Sequence, residues 1–216
     1  MFQPVLLPIR SQTCWLSPQR CLYWEEKETL VIGGFQLGNF PESNEQPKRR
    51  SSLERMQEQL LLFKAQRILF IGGFPLPENN QYLEDFIQWR KRYQSLTIDF
   101  VLSRSSPVAE SLLYSMGVHI HPGMLIEEPF VWIASRVAEE KWKLGTETHF
   151  RISGYEDPTY KKYGTPRLQT GTPAFYFTPA HGMLPAFSRP RGEDPVKPGK
   201  DELLWLTHHD HLINKH

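Results

Sequence analysis

Histidines, carboxylates and hydroxyls are the side chains through which a protein most often holds a metal or moves a proton, and this chain gathers them in a few places. His119 and His121 alternate, which on a strand turns both imidazoles to one side and could begin a metal site. Spacing places no carboxylate or cysteine beside them, so a strand edge with solvated histidines is expected. His208-His209-Asp210-His211 and His216 crowd the end of the chain. Such a run picks up nickel or zinc adventitiously, and a loosely packed tail over 207–216 is expected. Glu156 and Asp157 are neighbouring carboxylates, too close together on one loop to coordinate two metals alone. Ser103, Ser105 and Ser106 offer hydroxyls, but no motif places a His or Asp to activate one, so serine catalysis is not expected. Arg104 stands among them, and a guanidinium there could hold a phosphate by two hydrogen bonds. Lys48-Arg49-Arg50 with Arg104 and Arg136 could form an anion patch, although a solvated loop is the simpler expectation. Trp89, Trp132, Trp142 and Trp205 read as core or surface aromatics, because no basic groove accompanies them for base stacking.

The elements that must position these groups follow from periodicity. Cys21–Tyr23 and Thr29–Ile32 read as strands joined by the polar turn Glu25–Glu28, the second closed by Gly33-Gly34. Phe40–Arg50, with Pro41 and Pro47, reads as a loop. Ser51, Ser52 and Glu54 offer a capping box for a helix whose apolar face is Leu53, Met56, Leu60 and Phe63. Arg67–Ile71 is a strand closed by Gly72-Gly73. Glu78–Tyr93 is a helix with Leu83, Phe86 and Ile87 inward. Ile98–Leu102 is a strand closed by Ser103–Ser106, and a short helix runs to Met116. Val118–Ile120, Phe130–Ala134, Phe150–Ser153, Ala174–Thr178, Met183–Phe187 and Leu203–Leu206 then read as strands with little helix between them. Alternating strand and helix, followed by mostly strand, predicts an α/β sandwich of two packed mixed sheets flanked by helices. Ligands in such folds sit at the carboxyl ends of the parallel strands.

The stretches CLYWEEKETLVI, FQLGN, LLFKAQRILFIGGF, FIQWRKRYQSLTIDFVL, FRISGYEDP and AFYFTPAHGMLPAFSR resemble the calcineurin-like metallophosphoesterases over nearly the whole chain. The resemblance is to the branch of ligase-associated DNA damage response endonucleases, of which the LPAF core after an aromatic strand is a hallmark. It implies five ligand motifs: D-x-H, G-D, G-N-H-D, a lone His, and G-H-x-H. These hold two cations about 3.5–4 Å apart that activate water and clamp phosphoryl oxygens. Here the first motif reads Gly34-Phe35-Gln36 and the second Gly72-Gly73. The third reads Ser103-Arg104-Ser105-Ser106, the lone His falls near Ser135, and the last reads Gly154-Tyr155-Glu156-Asp157. Glycine brings no donor, and Gln, Ser and Tyr are poor ligands for such a pair. The resemblance therefore implies a degenerate phosphoesterase with vestigial positions at Gly34, Gln36, Gly73, Arg104, Ser105, Ser135, Tyr155 and Asp157. It implies no metal cofactor and a neighbourhood of DNA-repair proteins. An active phosphoesterase reorganised around Glu156, Asp157 and a nearby His, or a phosphate- or nucleotide-binding module on Arg104, stay open as alternatives.

Composition bounds these readings. At 216 residues, one domain with a sizeable core is expected. Lys+Arg 25 against Asp+Glu 24 leaves a formal charge of +1, so net charge does not indicate nucleic acid as a partner. Pro4, Pro8 and Arg10 interrupt the short apolar run at the start, and no stretch approaches the ~20 apolar residues of a membrane span. The cytoplasm is the expected location, with Cys14 and Cys21 as reduced thiols.

Overall fold

The computed structural model describes residues 3–41, 49–72, 80–103, 107–142, 148–160, 171–188, 194–208 and 211–215. The chain opens as a meander in which β1 (Val5–Ile9), β2 (Gln12–Ser17), β3 (Cys21–Trp24) and β4 (Thr29–Gly33) pair antiparallel in order. The expected loop over Phe40–Arg50 is pinched at its base, where β5 (Asn39–Pro41) pairs with β6 (Arg49–Ser51). The helix α1 (Ser52–Phe63) starts at the foreseen box: Ser51 Oγ accepts from the Glu54 N–H, and the Glu54 carboxylate accepts from the Ser51 N–H. Three more strands, β7 (Arg67–Ile71), β8 (Thr97–Leu102) and β9 (His119–Pro122), follow through α2 (Asn80–Arg92) and α3 (Pro107–Ser115). Helical crossovers make β4, β7, β8 and β9 parallel. The first sheet is seven-stranded, in the order β1-β2-β3-β4-β7-β8-β9.

The remaining chain builds the second sheet: β10 (Met124–Glu127), β11 (Phe130–Ile133), α4 (Arg136–Trp142), β12 (Phe150–Ser153), β13 (Pro158–Tyr160), β14 (Thr172–Phe177), β15 (His181–Met183), β16 (Asp194–Pro195), β17 (Leu203–His208) and β18 (His211–Lys215). It is nine-stranded along β10-β11-β12-β15-β14-β13-β16, with β17 on β14 and β18 on β17. The short helix α4 is the little helix expected among these strands. Two sequence expectations need correction here. The strand expected over Met183–Phe187 ends at Met183, and 184–188 leaves the sheet. The end of the chain, expected as a loose tail, pairs as β18 along β17 and covers a row of backbone groups that would otherwise be an open edge. His209, Asp210 and His216 lie outside the described residues.

Alternation along the first sheet sorts its side chains. Leu30, Ile32, Ile68, Phe70, Ile98 and Phe100 turn outward to α1, α2 and α3, where Met56, Leu60, Phe86, Trp89 and Leu113 cover them. Trp89 is buried on α2 where Ile87 was expected, and Ile87 and Leu83 are only half-buried. Val31, Leu69, Ile71 and Val101 turn inward to Phe130, Trp132, Phe150 and Phe175 of the second sheet and to Leu184 just beyond it. Each such side chain stabilises by about 1.5–3 kcal/mol when fully buried. The architecture is a two-sheet α/β sandwich, as the strand pattern predicts.

Candidate functional site

The carboxyl ends of β4, β7 and β12 meet between the sheets, where the resemblance places a metal cleft. Their backbones are nearly in contact. A Cβ built on Gly72 would lie 2.7 Å from the Gly154 carbonyl oxygen, and one on Gly154 would lie 2.7 Å from that of Ile71. The Gly34 N–H donates to the Ile71 carbonyl at 3.1 Å, and the Leu184 N–H to the Ser153 carbonyl at 3.0 Å. Glycine is required at 72 and 154 so that the two sheets can close at this edge.

The segment Leu184–Ser188 fills what remains. Gly34 has φ +56°, and a Cβ there would lie 2.8 Å from Ala186 Cβ. Asp157, 5% exposed, accepts the Ala186 N–H on Oδ1 at 3.0 Å. The Phe187 N–H donates to the Gly33 carbonyl at 2.8 Å, and its ring joins the core under the helices. Gln36 takes part through its backbone: its N–H donates to Ser188 Oγ at 2.8 Å. Its carbonyl accepts from Ser52 Oγ at 2.7 Å and lies 2.8 Å from Ser188 Oγ. Arg55, buried on α1, donates from Nη1 to the Phe187 carbonyl at 3.0 Å and stacks over the Phe187 ring at 4.5 Å. Gly34, Gln36 and Asp157 are thus brought together around one segment, which engages Asp157 through Oδ1.

Tyr155 and Ser135 sit to one side, at α4. Ser135 Oγ caps the helix by accepting the Ala138 N–H at 3.2 Å. Tyr155 packs with Val131, Ile133 and Ala138, and its hydroxyl donates to Glu139, whose other oxygen accepts from Arg151 Nη1 at 2.7 Å. Burial, with the Glu139 carboxylate beside it, pushes the Tyr155 phenol well above its ordinary pKa, so it stays protonated. The neighbouring Glu156 accepts from Ser153 Oγ at 2.9 Å, and His181 Nε2 lies 3.1 Å from that hydroxyl. Ser153 and His181 are buried, and Glu156 is half-buried. Gly73, Arg104, Ser105 and Ser106 lie outside the described residues.

Among the described residues, the seam offers no ligand set for a dinuclear centre. Position 34 cannot direct a side chain into the seam, Asp157 is engaged by Ala186, and Tyr155 is engaged by Glu139. Among the described residues, no group of three or more His, Cys, Asp or Glu could hold a metal ion. The chain is similar in fold to a bacterial nuclease. The crystal structure of the nuclease MPE of Pseudomonas putida superimposes with a TM-score of 0.77, at 19% identity, over 100% of both chains. No family model and no curated protein matches. Sequence reading missed Ser52, Arg55, Ala186 and Ser188. The signal was present in α1, where Ser52, Arg55 and Gln59 share the buried face with Met56 and Leu60. Buried polar groups on an amphipathic helix need partners: Ser52 and Arg55 find theirs at the seam, while Gln59 accepts from Ser17.

Proposed function

We propose that this protein is a non-catalytic relative of the phosphoesterase-like nucleases, a single domain kept for a binding or assembly role beside DNA-repair proteins in the cytoplasm. The observation that carries this reading is the closed seam. At the strand ends where the resemblance puts ligand side chains, Gly34, Gly72 and Gly154 bring none, and a Cβ on any of them would lie within 3 Å of Ala186 or of neighbouring backbone. A two-metal hydrolase needs carboxylates and imidazoles there to hold two cations and a phosphoryl group. We treat Gly34, Gln36, Gly73, Arg104, Ser105, Ser135, Tyr155 and Asp157 as the vestigial positions of that site; at Gly73, Arg104 and Ser105 this rests on sequence alone. The engagement of Glu156 by Ser153 and of Asp157 by Ala186 weighs against a reorganised hydrolase.

The test is hydrolysis of bis(p-nitrophenyl) phosphate and of single- and double-stranded DNA with manganese, beside a heat-denatured control. No turnover above that control is expected. A rate that EDTA abolishes and that Asp157→Asn removes would overturn the reading.

A further inference from the structure

On the helical face of the first sheet, at the opposite end of the strands from the seam, the carboxyl ends of α2 and α3 leave an open groove of about 400 Å³. Ile87 on α2, Leu112 on α3 and Met116 just beyond α3 line it, each half-buried. Arg90 ties the two walls together. Its Nε donates to the Met116 carbonyl at 3.0 Å and its Nη1 to that of Leu96 at 2.9 Å, and the Tyr93 and Gly117 carbonyls accept from it as well. A groove held in this way needs little rearrangement to receive a partner. Its rim is cationic: Arg90, Lys91 and Arg92 end α2 in succession, and Lys91 lines the groove with its side chain exposed. Among the described residues, neither Lys91 nor Arg92 has a carboxylate within ion-pair distance. The acidic residues of α2, Glu84 and Asp85, lie roughly 10 Å back along the helix axis from Lys91. Asp85 there accepts from Gln81.

We propose that this groove is the docking site of a protein partner, which presents a segment with one apolar face and acidic side chains beside it. Charge complementarity selects the occupant. Apolar side chains of the segment cover Ile87, Leu112 and Met116, and its carboxylates meet Lys91 and Arg92 at the rim. The flexible thioether of Met116 adapts to the side chains laid against it. A phosphodiester strand fits the groove less well. Its floor is apolar, and helix carboxyl ends turn carbonyl oxygens, rather than N–H groups, toward a ligand. The inference deepens the binding role proposed above and rests on it for its purpose, but it uses none of the residues of the seam.

The experiment titrates the full chain into a short fluorescein-labelled helical peptide that carries leucines on one face and glutamates beside them, read by fluorescence anisotropy. The same peptide with lysine in place of glutamate is the control. Saturable binding of the acidic peptide with a micromolar Kd is expected, and no binding of the basic one. Raising salt from about 0.1 to 1 M shortens the screening length from about 10 to 3 Å and should weaken binding several-fold. Lys91→Glu, at an exposed position, should keep the melting temperature and weaken binding about tenfold or more. Met116→Gln, which keeps the charge and makes the floor polar, should weaken it to a similar degree. Lys141→Glu, the same change of net charge on the exposed face of α4, should leave it unaltered. Equal binding of both peptides, or binding that Lys91→Glu leaves unchanged, overturns the proposal. So does displacement of the peptide by duplex DNA, or a dimer in light scattering that Met116→Gln dissociates. Failure here leaves the non-catalytic reading standing, and metal-dependent hydrolysis, which would end that reading, leaves this titration unchanged.

Discussion

At the scale of single residues, the seam depends on what is missing from Gly34 and present at Asp157. A side chain at 34 meets both the left-handed backbone, φ +56°, and Ala186 at 2.8 Å. Gly34→Ala should therefore cost about 2–5 kcal/mol from backbone strain and overpacking together, read as a lower urea midpoint. Gly34→Asp, which restores the resembled family's residue type, should destabilise at least as much and should not yield manganese-dependent hydrolysis. Asp157→Ala leaves the buried Ala186 N–H without its acceptor and should cost about 1–3 kcal/mol. Asp157→Asn keeps an acceptor oxygen and should cost less. If Asp157→Asn and Asp157→Ala lose the same stability, the carboxylate does more than accept this one hydrogen bond.

At the scale of elements, the β2–β3 hairpin divides its cysteines between two environments. Cys14 faces the core between the sheets, and Cys21 faces the core under the helices. Both are free thiols, and opposite faces of one sheet keep them from pairing. Burial, more than any neighbouring charge, pushes the pKa of each thiol up to about 12. An acid whose pKa is raised by folding stabilises fully below its unfolded pKa, near 8.5, and loses that contribution as pH rises through its folded pKa. Unfolding free energy should then fall between pH about 8.5 and 12 by at most about 1.4 kcal/mol per pH unit for each thiol. Cys21→Ala should flatten that slope. In the native state both thiols should resist an aromatic disulfide reagent at pH 8, and both should react once the chain is unfolded. Fast native labelling of either would contradict the burial.

At the scale of the molecule, the inner core draws side chains from both sheets, with Trp24 stacked edge-on against Phe130 at 4.9 Å. Neither sheet can lose that face alone without exposing the other. The far-ultraviolet and near-ultraviolet transitions in urea should therefore coincide, as in a two-state domain. Separate midpoints would show that the sheets unfold independently.

The elements and their order were legible in the sequence because they are local. The capping box at Ser51, the strands Arg67–Ile71 and Phe150–Ser153, and the change from alternating to mostly-strand pattern are each set by neighbours along the chain. So was the absence of metal-ligand side chains at positions 34 and 36, which is a matter of residue type. What the sequence could not show is how the strand ends pack together. The segment Leu184–Ser188 carries Pro185, which has no N–H to give to a ladder, and packing against Gly34, Asp157 and Arg55 then holds it outside the sheet. In the same way, His119 and His121 read as solvated, and His119 is 66% exposed, but the parallel register of β8 and β9 also sets Asp99 beside them. Both outcomes depend on contacts between residues far apart in sequence, which are fixed by sheet register and close packing and leave no periodic trace in the chain.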